Sequence, residues 1–298
     1  MAIQLQLTGY EKNLGGGFTV RRVLPAARQR SVGPFIFFDH FGPVAAPPEV
    51  DHDVRPHPHI GLATVTYLFE GAMMHRDSLG TEQLIEPGAI NWMTSGRGIV
   101  HSERRPPHLR DVSYVSHGLQ LWTALPLAHE EDEPSFSHTP ASHIPQVQVG
   151  GAKVRVLIGS AFGVDSPVAT FSKTLYLDVV LAPGAVLALP PLAPELAVFG
   201  VDGNLSVDGE DLPARTMAVL QPEQAASIQA AQATRFVVIG GEPLDAPRHM
   251  WWNFVSSRKE RIIEASADWE AQRMGRVPGE TEFIPLPPTR FTPPEPIS

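Results

Sequence analysis

The sequence predicts an all-β protein made of two antiparallel, jelly-roll-like β-barrel domains. The 298 residues are enough for two domains of about 150 residues each. The 30 prolines and 25 glycines exceed average usage and favour turns and short strands over long helices. Apolar runs of strand length, separated by turn residues, recur in both halves of the chain. Such a series is typical of sandwiches and barrels.

The first half contains a series of runs with the β-branched and aromatic content of strands. In chain order they are GGFTVRRVLP, GPFIFFDHFGP, ATVTYLFEG, AINWMTS, GIVHSE and HGLQLWTALP. Residues 128–150 are acidic and then Pro- and Ser-rich, with little apolar periodicity, which predicts a connection between domains. The predicted domains are therefore 1–140 and 141–298.

The second half repeats this pattern with the runs KVRVLIGSA, TLYLDVVLAPGAVLALP, ELAVFGVDGNLSVDG, TMAVLQP and TRFVVIGGEPL. Asp202-Gly203 has the composition of a hairpin turn. Each half also places a Pro-Gly turn between two apolar strands, which favours an internal duplication. Residues 144–248 contain no histidine, so the second domain offers no histidine metal site.

One α-helix is predicted near the C-terminus, within the second domain. Ser257 and Glu260 fit a capping box at its start. Its apolar stripe would consist of Ile262, Ile263 and Trp269. The tail FIPLPPTRFTPPEPIS is Pro-rich and is predicted to lie extended over the surface.

Composition excludes several classes of function. Without cysteine the chain has no thiolate ligand, so a bound metal must use imidazole and carboxylate. The net charge of −9 argues against direct nucleic-acid binding, which depends on clustered Lys and Arg. The N-terminal residues resemble no signal peptide, and no apolar run is long enough to cross a membrane. We therefore expect a soluble, cytoplasmic protein.

His57 and His59 form a His-x-His pair directly ahead of a strand-like run. Side chains at i and i+2 of a strand point to the same side, about 6–7 Å apart along it. Two imidazoles so placed can share one ion. With 12 histidines in the chain, however, one such pair arises readily by chance.

His101 and Glu103 form a second pair with the same spacing, after a Gly-rich turn. In a small antiparallel barrel, the roughly 40 residues between the pairs can return the chain opposite the first pair. Three imidazoles and one carboxylate would then converge on an ion such as Fe, Zn, Cu, Ni or Mn, with Fe(II) expected first. The competing interpretation is a pair of solvated loops.

Other residues near these pairs are weaker candidates. Trp92 and Met93 could line a pocket, but such residues are more often core. His75 is most simply a hydrogen-bonded or exposed residue. A cluster of basic side chains could steer an anionic substrate, although a solvated basic loop is the simpler interpretation; it consists of Arg97, Arg104, Arg105 and Arg110.

The chain resembles the pirin family, a branch of the cupin superfamily with two β-barrel domains. The resemblance rests on PHPHIGLATVTYLFEG, HRDSLG, PGAINWMTSGRGIVHSE, HGLQLW and FVVIGGEPL and runs through most of the chain. It implies a bicupin fold with one metal, usually iron, in the N-terminal cupin and none in the C-terminal cupin. The ligands it implies are His57, His59, His101 and Glu103. Many members carry a glutamate where this chain has Ala63, so a carboxylate near the metal would be missing.

Bacterial members resemble quercetin 2,3-dioxygenases, which cleave a flavonol with O₂ and release carbon monoxide. The resemblance therefore implies a metal-dependent dioxygenase, and Glu103 is the acid that we place as catalytic base as well as ligand. A second interpretation is a non-enzymatic, iron-dependent regulator that binds a transcription factor or a metabolic enzyme. A third is another small-molecule oxygenase or a metal cupin isomerase, which would use the same ligands.

Overall fold

The computed structural model describes residues 2–14, 18–50 and 52–289. Within these ranges it contains 26 strands and one α-helix, α1 (Lys259–Glu270). The strands are β1 (Ile3–Leu7), β2 (Tyr10–Asn13), β3 (Thr19–Leu24), β4 (Phe35–Ala46), β5 (Val54–His59), β6 (Leu62–Glu70), β7 (Met73–Asp77), β8 (Glu82–Ile85), β9 (Ile90–Thr94), β10 (Ile99–Arg104), β11 (Tyr114–Ala124), β12 (Ser135–Thr139), β13 (Gln146–Val149), β14 (Ala152–Ile158), β15 (Ser160–Ala161), β16 (Val164–Asp165), β17 (Thr174–Leu181), β18 (Val186–Leu189), β19 (Glu195–Gly200), β20 (Leu205–Val207), β21 (Glu210–Leu212), β22 (Met217–Leu220), β23 (Ala226–Gln229), β24 (Thr234–Gly241), β25 (His249–Trp251) and β26 (Phe254–Ser256).

The chain forms two compact units. The first unit comprises residues 12–20, 39–138 and 245–298, and the second comprises residues 1–11, 21–38 and 139–244. Two sheets with the strand orders β5-β10-β7-β8 and β12-β9-β6-β11-β4-β3-β2 lie mainly in the first unit, although residues 21–24 of β3 and 35–38 of β4 are counted with the second. The main sheets of the second unit have the strand orders β1-β22-β19-β24-β17-β14-β13 and β18-β23-β20-β21. The strand pairings that matter below are antiparallel, as predicted for both barrels.

The predicted domains were 1–140 and 141–298. The segments at the two ends of the chain belong to the opposite units from those predicted. Strand β1 pairs with β22 and so belongs to the second unit, because its backbone hydrogen bonds are satisfied there. Helix α1 belongs to the first unit, since Ile262 and Trp269 pack in one buried cluster with Ile60, Val100 and Phe254. Near residue 139 the chain passes between units, close to the predicted boundary.

Two local predictions were wrong. Asp202-Gly203 joins β19 to β20, which lie in different sheets, so it is not a hairpin turn. The stretch 128–150 is not simply a connection, because it contains β12 and β13. Strand β12 is mostly polar and partly accessible, so its sequence resembles a loop. Strand β13 alternates glutamine with two valines that pack against a buried cluster, a pattern too short to stand out in the sequence.

The helix prediction is right in place but wrong in two details. Helix α1 begins after Arg258 and has no side-chain cap, because the Ser257 hydroxyl instead donates to Glu130 at 2.8 Å. Ile262 and Trp269 are buried, whereas Ile263 is 53% exposed. Among the described residues, no helix has the length and apolarity needed to span a bilayer.

Strand β10 has the position that matters for function, because it lies between β5 and β7. On one side His101 stands opposite His57, and on the other it stands opposite Asp77. The pairing with β5 changes register between His101 and Glu103. The His-x-His strand and the His-x-Glu strand are therefore direct neighbours.

The facing sheet of the first unit has its own register across β9, β6 and β11. Thr64 stands opposite Met93 on β9 and Trp122 on β11. Side chains alternate between the two faces of a strand. These three therefore share one face, and Ala63 lies on the other.

Candidate metal centre

Three histidines of the first unit converge in its interior. Each of His57, His59 and His101 offers a ring nitrogen, and these atoms all lie within 4.8 Å of one another. The three side chains are only 7%, 1% and 2% exposed. The structure therefore brings together three of the four predicted ligands.

The sequence of β5 explains why two imidazoles point to one side. In the segment RPHPH, prolines alternate with histidines, and proline restricts the backbone to extended conformations here. The histidines then share the face opposite Pro56 and Pro58. Neighbouring strand β10 adds the third imidazole, because His101 is in register with His57.

Backbone carbonyls fix the tautomers of two of these imidazoles. His57 Nδ1 lies 2.9 Å from the Arg55 carbonyl oxygen, and His59 Nδ1 lies 3.2 Å from that of Asn253. A carbonyl oxygen only accepts hydrogen bonds, so each Nδ1 is the protonated donor. Each Nε2 consequently carries a lone pair, the form that binds a metal.

The spacing of the nitrogens fits a shared ion. His59 Nε2 lies 3.1 Å from His101 Nε2. Two nitrogen ligands bound at about 2.1 Å, with a right angle between them, are about 3.0 Å apart. Burial of several imidazoles in one place is also costly without a partner for their lone pairs. These residues therefore fit a divalent metal.

Burial keeps the three imidazoles neutral. It lowers the pKa of His57 to about 4. The pKa values of His59 and His101 also fall well below the ordinary value, first because of burial and then because of the neighbouring imidazoles. Neutral imidazole is the form that coordinates metals, so protons do not compete for these nitrogens at neutral pH.

Glu103, the fourth predicted ligand, lies outside the group of three. It is partly buried and follows His101 by two residues, beyond the shift in strand register. Burial raises the pKa of its carboxyl to about 7, because the charged form has lost water. Its role as ligand stays a prediction, and the raised pKa suits a group that exchanges a proton near neutral pH.

The wall beside the histidines is aromatic and polar. The Trp122 ring stands edge-on to His59, with 5.2 Å between centroids. Met93 shares the face of Trp122 through their common partner Thr64. Trp92 lies on the opposite face, where its Nε1 donates to Thr94 at 3.1 Å. Of Trp92 and Met93, Met93 is therefore the residue on the histidine side.

The expectation for position 63 was wrong. Ala63 stands opposite Thr94 and Thr123, on the face of β6 turned away from the Trp122 ring that contacts His59. A carboxylate at this position would project from the sheet face opposite the one that contacts His59. The alanine therefore does not remove a group from the vicinity of the three histidines.

Asn91 places an unsatisfied amide on the same wall. It is opposite Thr66, two residues from Met93, and only 2% exposed. One end of its amide, Oδ1, lies 2.7 Å from His138 Nδ1. The other end, Nδ2, is buried and has no hydrogen-bond partner. Because an unmet buried donor is costly, this amide is suited to a polar atom of a bound molecule.

Family models agree with the two-barrel architecture. The pirin model matches residues 17–123, and the model of the pirin C-terminal cupin domain matches residues 176–275. Together they cover well over half of the chain.

The chain belongs to the pirin family.

Similar proteins span nearly the whole of this pirin. A pirin-like protein of Caulobacter vibrioides is 46% identical over 290 residues, covering 96% of this chain and 99% of the relative. Pirin of Homo sapiens is 32% identical, covering 92% and 93%. The crystal structure of quercetin 2,3-dioxygenase from Acinetobacter baumannii matches with a TM-score of 0.89 and 35% identity, covering 98% of each chain. The bicupin fold predicted from the sequence is confirmed.

Sequence reasoning missed two residues at the centre of this pirin. His75 Nδ1 lies 3.4 Å from His101 Nδ1, and His75 Nε2 lies 3.0 Å from Asp77 Oδ2. The available signal was a third spacing of two, His75-Arg76-Asp77, but His-x-acid patterns are common. The Asn253 carbonyl carried no signal, because any residue could supply it.

The basic cluster of this pirin does not point at the histidines. Arg104 follows Glu103 on β10 and therefore takes the opposite face of the strand. It is bound there by carboxylates of Asp53, Glu280 and Glu282. A cavity of about 770 Å³ on this side is also lined by Arg76, Arg105 and Arg110. Arg97 instead pairs with Glu133 at 2.8 Å.

Proposed function

We propose that this protein is a metal-dependent dioxygenase that cleaves a flavonol such as quercetin with O₂ and releases carbon monoxide. The convergence of three neutral, buried imidazoles carries the proposal, because it supplies a metal site with room for further ligands. The similarity to a quercetin 2,3-dioxygenase structure supports the substrate class. We propose His57, His59, His101 and Glu103 as ligands, with Fe(II) as the expected metal.

When bound, the metal would act as a Lewis acid toward the flavonol 3-oxygen and would serve the reaction with dioxygen. The overall reaction balances without a reductant. Both atoms of O₂ enter the ester product, and the carbon that carried the 3-oxygen leaves as carbon monoxide.

The proton of the 3-hydroxyl group needs an acceptor. Glu103 lies two residues after His101 on β10. The pKa of the Glu103 carboxyl is raised to about 7. A base with a pKa near the working pH combines a useful fraction of the unprotonated form with sufficient proton affinity. We propose that Glu103 takes this proton.

The wall residues suit a flat aromatic substrate with oxygen substituents. Trp122 and Met93 offer apolar contact beside the histidines. The unsatisfied Asn91 amide can hydrogen-bond to a ring oxygen or hydroxyl. Apolar walls with a few placed polar groups are characteristic of small-molecule sites.

The test is aerobic loss of quercetin absorbance together with carbon monoxide detection, using protein loaded with Fe(II). We expect turnover by the wild type and at least a 100-fold loss in Glu103→Gln, because the amide cannot accept the proton. Glu82→Gln, at a carboxylate on β8 that pairs with Arg76, is the matched control and should keep wild-type activity.

Two outcomes would overturn the enzymatic proposal. One is metal-loaded wild-type protein that leaves quercetin intact, which would favour the regulator interpretation. The other is Glu103→Gln with unchanged turnover, which would remove Glu103 from the reaction.

A further inference from the structure

His101 differs from the other two histidines in what its outer nitrogen contacts. His57 and His59 each meet a backbone carbonyl. His101 Nδ1 instead faces Nδ1 of a fourth buried imidazole, His75, at 3.4 Å. Its Nε2 faces His59. Both nitrogens of His101 are therefore engaged, and the hydrogen bond to His75 decides which one carries the proton.

The chain of contacts ends in a firmly held carboxylate. Asp77 is fully buried, and its Oδ1 accepts backbone N–H groups of Leu79 at 2.9 Å and Thr81 at 3.0 Å. Its Oδ2 contacts His75 Nε2 at 3.0 Å. Burial works against ionisation, but these hydrogen bonds outweigh it and lower the pKa of Asp77. The carboxylate is therefore ionised and can only accept.

The donor and acceptor roles follow in order from Asp77. Since the carboxylate only accepts, His75 Nε2 must be its protonated donor. The Nδ1 of a neutral His75 then has a lone pair and accepts from His101 Nδ1. His101 Nε2 is left unprotonated, in the direction of His59. The carboxylate of Asp77 thus dictates the tautomer of His101 through two hydrogen bonds, with His75 between them.

We propose that Asp77 and His75 form a positioning couple that holds His101 in its metal-binding tautomer and ring orientation. The proposal rests on the proposed ligand role of His101. Packing supports it, because the His75 ring stacks on Phe136 with 4.3 Å between centroids and 18° between planes. Strand pairing supports it as well, since Asp77 is in register with His101.

Asp77→Asn is the most informative variant. The asparagine can still accept the Leu79 and Thr81 amides through its oxygen, which turns its NH₂ group toward His75. His75 Nε2 must then accept, so the proton moves to Nδ1 and faces the N–H of His101. Relief of this conflict favours a proton on His101 Nε2, and this proton competes with the metal for that nitrogen. Asp77→Asn should therefore weaken metal binding through His75 and His101.

The experiment measures Co²⁺ binding to the full-length protein by chelator competition, together with the d–d absorption spectrum of the bound ion. We expect Asp77→Asn and His75→Phe to raise the Kd for Co²⁺ by about 10–100-fold, as loss of such outer partners typically does, and to alter the spectrum. The control is His117→Phe, at a buried histidine that contacts His40. It should leave affinity and spectrum unchanged.

A second measurement needs no variant. Long-range ¹H–¹⁵N NMR of the Zn²⁺-loaded wild type reads histidine tautomers directly, and we expect the Nε2–H form for His75 and the Nδ1–H form for His101. The proposal is overturned by the opposite tautomer at His75, or by wild-type Co²⁺ affinity and spectrum in Asp77→Asn. If wild-type protein binds neither ion, the metal site itself fails, and the couple fails with it.

Discussion

Replacing Glu103 with Gln should stabilise the metal-free protein at alkaline pH. Burial raises the pKa of this carboxyl from its ordinary value of 4.5 to about 7, so ionising it in the folded state is unfavourable. One pKa unit corresponds to about 1.4 kcal/mol, so ionising Glu103 in the folded protein costs about 3 kcal/mol of stability. Glutamine has nearly the shape of the protonated carboxyl but cannot ionise, and it escapes this cost.

The sign of the pH dependence follows from proton binding. Between pH 4.5 and about 7, folded Glu103 keeps a proton that the unfolded chain has released. Its contribution to stability is fully present below this window and is lost as the pH rises through it. We therefore expect little difference between Glu103→Gln and wild type at about pH 4, below the window, and the full difference of about 3 kcal/mol at about pH 8.5.

The assay is urea unfolding in excess EDTA at several pH values, followed by tryptophan fluorescence. The three buried histidines are present in both proteins, so their titration cancels in the comparison. Glu82→Gln is the control, because Glu82 is exposed and its charged form is favoured by Arg76. If wild type and Glu103→Gln differ by the same amount at every pH, Glu103 does not titrate as inferred.

Three other predictions concern residues around the site. Arg248→Met should destabilise the protein by about 3–5 kcal/mol in urea unfolding, because it leaves the carboxylate of Glu130, now 2.7 Å from the guanidinium, buried without its partner. Gly61→Ala should lower the melting temperature and the metal content together. Gly61 has φ +68°, and an added Cβ would collide with the Val255 carbonyl oxygen. An unchanged melting temperature would contradict this. Asn91→Ala should raise KM for quercetin about tenfold with little change in kcat, measured by steady-state kinetics, because one hydrogen bond is lost.

Strands with strong apolar or aromatic content were predictable. The runs that gave β4, β6, β9 and β11 are buried over most of their length, so their composition reflects their environment. Polar strands were not predictable: all four residues of β2 are exposed, and nothing in their sequence distinguishes them from a loop. Such strands form because a neighbour supplies hydrogen bonds, which is information held elsewhere in the chain.

Composition and residue spacing were sufficient to establish the chemical groups available to the site: imidazole and carboxylate without thiolate, in pairs spaced by two residues. That spacing places each pair on one side of a strand, whatever the rest of the fold does. Which of these side chains meet depends on the folded arrangement of the strands and loops. His59 reaches His101 across 42 positions and Asn253 across 194, through strand register and loop paths that no local pattern encodes. The couple of His75 and Asp77 likewise depends on the pairing of β7 with β10.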